Sequence, residues 1–330
     1  PENCFKQAEE CLNKSLELDP NFIEALYLKA KLFDHHCENT PKTSKYQKKF
    51  DTLRQAMLTL SGTPGLNSSL IELLLKRAEE YITKSKFPEY AKRTISMLFF
   101  EYGKLMCQYE MKDHYDEVKL GVSLYACSMS IDQNIYALLA LGVQTMYHAV
   151  PHLDDHPSFQ SHGVNSMVDL IKRNQEEEQM KMYMEVLSKY KKLVRSIQIF
   201  NTVILWAFAI PDYMYLSPSY RIVQMKALMY LGAAKSKIGK MEMDYSQRIK
   251  IYAEAKSHLE AVTKELSNEN FLKDIPFWEK PLLEVQDFRE AYYELGKMYE
   301  KSRLHMVDGH VSDILLCWRC FKSAQEAYFK

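Results

Sequence analysis

Turn-forming residues are scarce in this chain. Its 330 residues include ten glycines and eleven prolines, whereas an all-β fold needs a turn signal about every 8–12 positions. An excess of either charge is also missing: 43 Lys and Arg stand against 43 Asp and Glu. Nucleic-acid binders carry a basic surplus that releases phosphate counterions, so the net charge asks for neither a polyanion nor an anionic membrane. No apolar run approaches the roughly 20 residues that cross a bilayer. The longest, "VILWAFAI" (203–210), stops at Pro211 and reads as a buried helix. No signal peptide is visible. The seven cysteines (4, 11, 37, 107, 127, 317 and 320) are odd in number and scattered, a pattern of reduced thiols. An intracellular location, cytoplasmic or nuclear, is therefore expected.

Catalytic signatures are missing too. The chain has no Gly-rich phosphate loop, GxSxG elbow, HExxH pair or dinucleotide fingerprint. "HAVPHLDDHP" gathers His148, His152, Asp154, Asp155 and His156, a donor set that could hold a divalent ion. Pro151 breaks any helical pairing of the first two histidines, so a solvated loop is the expected reading. "HHC" (35–37) cannot easily converge on one ion. "CWRC" (317–320) has redox or zinc spacing but no second pair. The chain is expected not to be an enzyme and to carry no cofactor and no metal.

What is plentiful is helix-compatible bulk: 22 Tyr, 17 Met and 15 Phe, with 47% hydrophobic residues overall. "REAYYELGKMYE" (289–300) reads as helix throughout, yet holds Gly296 in its middle. Glycine in a helix interior costs about 1 kcal/mol relative to alanine. The same placement recurs in "LFFEYGKLM" (Gly103), "LLALGVQTM" (Gly142) and "LMYLGAAKS" (Gly232), with large apolar residues three and four positions away. "ALYLKAKLF" puts Ala30 at that place. A residue without a side chain lets a partner helix approach, and its large neighbours fill the flanking holes. A complementary small–large–small spacing appears at Ala8, Leu12 and Ser15, at Ala255, Leu259 and Val262, and at Cys317, Phe321 and Ala324.

Helix pairs with these residues resemble tetratricopeptide (TPR) repeats, helix–turn–helix units of about 34 residues. Residues 5–33 match best, followed by the "AYYELGKMY" helix. The resemblance implies an all-α, right-handed solenoid of antiparallel helix pairs whose inner groove binds partner proteins. Spacing between successive packing positions is irregular, so degenerate repeats with lengthened helices and insertions are expected. Two blocks, 1–156 and 157–330, are expected to form one continuous solenoid, with a break at 157–166 and a long helix or helix pair over 166–210. "SGTPGLNSSL" (61–70) reads as a loop with Asn67 or Ser68 as the next N-cap. Pro1 opens the chain in helical sequence without a methionine, and "SAQEAYFK" closes it within another helix, so a longer parent protein is expected.

The resemblance also implies which positions line the groove: three before, one after and four after each packing residue. These are Phe100, Lys104 and Cys107; Leu139, Val143 and Met146, with Tyr136 a turn earlier; Met229, Ala233 and Ser236; and Tyr293, Lys297 and Glu300. Chaperone-binding members of the family clamp a C-terminal carboxylate with an Asn directly after the packing glycine. Here that place holds Lys31, Lys104, Val143, Ala233 and Lys297, so the clamp is not expected. An apolar, Met-containing surface instead suits an amphipathic helix or a subunit of a larger complex. The same surface could be filled internally by the 166–210 helix or another segment. The expected function is a non-catalytic scaffold or adaptor, with the 150–163 loop and the terminal repeats as secondary contacts. Two rivals stand beside it. One is an RNA-binding helical-repeat protein using Lys104 and Lys297, and the other a metal-binding protein or enzyme using the 148–156 cluster.

Overall fold

The structure, a computed structural model, describes residues 2–35, 42–108, 115–147, 177–209, 218–242, 244–267 and 288–305. Among the described residues the fold is all-helical, with no strand. The helices are α1 (Glu2–Leu18), α2 (Ile23–His35), α3 (Lys42–Ser61), α4 (Ile71–Lys84), α5 (Pro88–Gln108), α6 (Tyr115–Ile131) and α7 (Ile135–Tyr147). They continue with α8 (Glu177–Ala209), α9 (Pro218–Met241), α10 (Tyr245–Leu266) and α11 (Arg289–His305). The chain divides into two compact units, Pro1–Leu141 and Gly142–Lys330. The expected break at 157–166, the 150–163 loop and the 317–324 pattern lie outside the described residues.

Local chemistry sets several of these boundaries. Gly62 lies in left-handed backbone (φ 66°) one residue past α3, the conformation in which glycine stops a helix without steric cost. Asn67 accepts a hydrogen bond from the Ser69 amide and starts the short 3₁₀ turn Ser68–Leu70. Proline opens α5 and α9, where its missing N–H costs nothing. Asn134 caps α7 by accepting from the amides of Tyr136 (3.1 Å) and Ala137 (3.2 Å). Asp244 caps α10 in the same way, through the amides of Ser246 and Gln247.

In the N-terminal unit, α2 packs on α1, α3 and α5, and α5 packs on α6. Leu26, Leu53, Met57, Leu74, Leu98, Phe99 and Leu124 form its core. The α5–α6 contact is made backbone to backbone. A Cβ built on Gly103 would lie 2.8 Å from the Gly121 carbonyl oxygen, and one on Gly121 would lie 2.8 Å from the Gly103 oxygen and 2.6 Å from Cys107 Sγ. Two turns away along both helices, Ser96 Oγ donates to the Ser128 carbonyl (2.9 Å) and Ser128 Oγ to the Ser96 carbonyl (2.7 Å). Pairing 96 with 128 and 103 with 121 makes the two helices antiparallel. The Asn134 amide nitrogen, 3.0 Å from Ser128 Oγ, ties the start of α7 to the same buried pair.

In the C-terminal unit, α9 packs on α8, α10 and α11, and α10 packs on α11. Met229, Leu259, Phe288, Ala291 and Leu295 belong to its core. Three glycines again mark the close approaches. A Cβ built on Gly142 would meet Phe200 and Ile199 of α8, one on Gly232 would lie 2.7 Å from Leu259 and 3.1 Å from the Ala255 oxygen, and one on Gly239 would lie 3.0 Å from the Tyr252 ring. Gly296 is buried as well.

Alanine at position 103 would gain about 1 kcal/mol of helix propensity, but overpacking costs about 1–3 kcal/mol and the opposing atom is backbone. Gly103→Ala is therefore expected to lower the urea midpoint of the protein. Gly65→Ala, in open space with nothing within 4 Å, is expected to leave it unchanged. Equal midpoints for the two variants would contradict the close approach.

Candidate functional site

Two helices share a four-residue pattern, Glu-x-Gly-Lys: "EYGK" (101–104) in α5 and "ELGK" (294–297) in α11. In both, the glutamate two positions before the packing glycine is buried, Glu101 at 5% and Glu294 at 2% exposure. A buried carboxylate persists only with partners. Glu101 receives Lys31 Nζ from α2 and Lys49 Nζ from α3, each at 2.9 Å. Burial alone would raise its pKa, but the charges of Lys31, Lys49 and Lys104 outweigh burial and hold it at about 2. Glu294 accepts from Ser236 Oγ (2.9 Å) and Lys240 Nζ (3.4 Å) of α9, and from Lys297 Nζ (3.3 Å) one turn along. Burial again pushes upward and is overcome, by Lys240 first and then by the Ser236 hydrogen bond, so this carboxyl is also lowered. Each carboxylate thus joins one helix with a small packing residue to the previous one within its unit: α5 to α2, and α11 to α9.

Around these joints lie the residues expected to line a groove. In the N-terminal unit Phe100 is half-buried, with its ring 6.0 Å from those of Tyr125 and Tyr136. Lys104 is exposed and Tyr136 half-buried. Cys107 is half-buried, and burial pushes its thiol up to about 11, which leaves it protonated and unreactive at neutral pH. Ala30 is fully buried and Ala8 partly so. Leu139, expected on the groove surface, retains 8% exposure, and Met146 of the C-terminal unit retains 9%.

In the C-terminal unit the expectation for α9 is corrected. Met229 and Ala233 are at 0% and Ser236 at 1% exposure. The physical reason is that α9 is covered by α8, α10 and α11, so this face meets other helices and not water. Met229 belongs to the core, and Ser236 serves the Glu294 joint. Val143 is half-buried. Tyr293 remains 44% exposed, with Lys297 Nζ lying 3.6 Å from its ring centroid.

Beside Tyr293 stands a group that no sequence signal marked. Tyr147, at the end of α7 and 45% exposed, donates its hydroxyl to Glu290 Oε1 (3.0 Å). Lys237 Nζ sits 4.2 Å from the Tyr147 ring centroid and 4.0 Å from Glu290 Oε1. Burial lowers the pKa of Lys237 against the pull of Glu290 and raises that of Tyr147. The resulting surface, from the end of α7 across α9 to α11, alternates aromatic rings with ammonium groups.

Among the described residues no cluster of three or more His, Cys, Asp or Glu could hold a metal, and no helix is long and apolar enough to cross a membrane. The 148–156 cluster and the 317–320 cysteine pair lie outside the described residues. Comparison with family models, curated proteins and solved structures finds no match to this chain.

The Glu101 joint has a defined pH signature. Its folded pKa of about 2 lies below the unfolded value of about 4.3. The joint therefore contributes stability above about pH 4.3 that is lost as pH falls toward 2. Urea unfolding of Glu101→Gln at pH 7 is expected to show a loss of about 3 kcal/mol, with the difference from the unsubstituted protein shrinking across that acid window. A difference that does not change with pH would refute the ion-paired carboxylate.

Proposed function

We propose that the chain is a TPR-like helical scaffold that performs no catalysis and binds a segment of another protein on the exposed faces of its glycine-bearing helices. Neighbour order within each unit supports this reading. In the N-terminal unit α2 meets both the next helix, α3, and the next small-residue helix, α5. In the C-terminal unit α9 meets α10 and α11 in the same relation. Stacked helix-pair repeats, in which each unit contacts its neighbour, would give this order.

The observation that carries the proposal is the seating of Gly232 on Ala255 and Leu259, a first-helix glycine on a second-helix small–large face. The binding residues proposed are Phe100, Lys104 and Tyr136 in the N-terminal unit, and Val143, Tyr293 and Lys297 in the C-terminal unit. Leu139, Met146 and Met229 are left as packing residues. The cytoplasm or nucleus suits the half-buried Cys107 and buried Cys127, both free thiols.

Affinity purification of the intact protein, compared with Phe100→Ala/Lys104→Glu and with Tyr293→Ala/Lys297→Glu variants, tests the reading. At least one variant is expected to lose co-purifying proteins while keeping its thermal unfolding midpoint. Identical sets of retained proteins for all three would end it.

A further inference from the structure

Helix α9 carries Arg221, Lys226, Lys235, Lys237 and Lys240 and no acidic residue over its 24 positions. Four of these cations divide between two neighbours, and Lys226 lies over the Phe288 ring. Toward α10, Lys235 pairs with Glu254 at 2.6 Å and Arg221 pairs with Glu265, so charge is matched there. Toward α11 the matching is incomplete among the described side chains. Lys237, Lys240 and Lys297 share two carboxylates, Glu290 and Glu294. Glu294 is enclosed at 2% exposure and already accepts from three donors, so little of its charge reaches the solvent. Glu290 accepts the Tyr147 hydroxyl and reaches Lys237 only at 4.0 Å. Among the described side chains three ammonium groups thus stand against two carboxylates, an excess of positive charge, with Tyr147 and Tyr293 exposed at 45% and 44% beside them.

We infer that this face of the C-terminal unit, formed by Tyr147, Lys237, Lys240, Tyr293 and Lys297, docks an acidic, amphipathic segment within another protein. The inference rests on the scaffold reading and specifies the chemistry of its partner. Side-chain carboxylates of the segment complement the three lysines, while its apolar side chains cover the two tyrosine rings. Burial already disfavours the charged form of Lys237, and an incoming carboxylate restores what desolvation removes. A phosphate backbone fits less well. Among its described side chains the surface offers lysines as point charges and no arginine fork, and the partly exposed Glu290 would repel a continuous line of phosphates. A terminal carboxylate is not required, because the lysines are spread along two helices and do not converge on one point.

The test uses the whole protein and fluorescence anisotropy of labelled probes. The first probe is a helical peptide with blocked ends, glutamates at i and i+4 spacing and leucines on the adjoining stripe. The second replaces every glutamate with glutamine, and the third is a single-stranded oligouridylate of matching length. The acidic peptide is expected to bind, the glutamine peptide to bind at least tenfold more weakly, and the acidic complex to weaken about tenfold from about 50 to about 300 mM salt. Lys237→Gln/Lys297→Gln is expected to weaken it about tenfold. Lys235→Gln, on the α10 side, is expected to change it less than twofold. The two-peptide comparison needs no variant and so does not depend on any variant folding.

Equal binding of the two peptides, absence of binding by both, or tighter binding of the RNA would overturn the inference. If the acidic peptide fails while Tyr293→Ala/Lys297→Glu still sheds co-purifying proteins, the acidic chemistry is refuted and the scaffold stands. If co-purification is also unchanged by every substitution, both fall.

Discussion

Close approach between helix backbones is the constraint on which the rest of this molecule depends. Where α5 crosses α6, each of two glycines leaves room for the other's carbonyl, with no space for one additional carbon. The tolerated loss of helix propensity, about 1 kcal/mol per glycine, is offset by dispersion contacts that a wider crossing would forfeit. Once the backbones are this close, large residues one turn away have fixed positions. Phe99 and Leu124 then enter the core, and Phe100, Tyr125 and Tyr136 form a ring cluster at its edge.

The buried glutamates stand two positions before packing glycines but face other neighbours, Glu101 facing α2 and α3 and Glu294 facing α9. A carboxylate can be taken out of water there only because lysines arrive with it. Removing one partner leaves the other charge stranded, which is why such groups make an arrangement specific more than they make it stable. The two units solve this differently. Lys31 and Lys49 approach Glu101 from two helices, whereas Ser236 and Lys240 of α9 are joined at Glu294 by Lys297 of its own helix.

Helical character was legible from the scarcity of turn residues and from the spacing of bulky ones. The cap at Asn67 was legible from the loop that precedes it, and Ala255 and Leu259 carried their side of the Gly232 contact in plain view. Gly121 was not, because α6 holds small residues at 123, 126, 128 and 130 as well, and small size alone singles out none of them. The joints were hidden for another reason. Lys31 and Lys49 lie 70 and 52 positions from Glu101, and local periodicity carries no information at that range. Met229 was misplaced because a groove register carried over from regular repeats assumes one free face per helix, and α9 has neighbours on three sides.

The reciprocal pairs in α5 and α6 also limit what these helices can do. Ser96 meets Ser128 and Gly103 meets Gly121, so a slide of one turn would drive a bulky side chain such as Tyr125 into the gap left for a hydrogen atom. Shear between the two rods is therefore blocked in both directions. A ligand arriving at Phe100 or Lys104 would meet a platform already fixed in shape, and complex formation there would lose little free energy to reorganisation of the receptor.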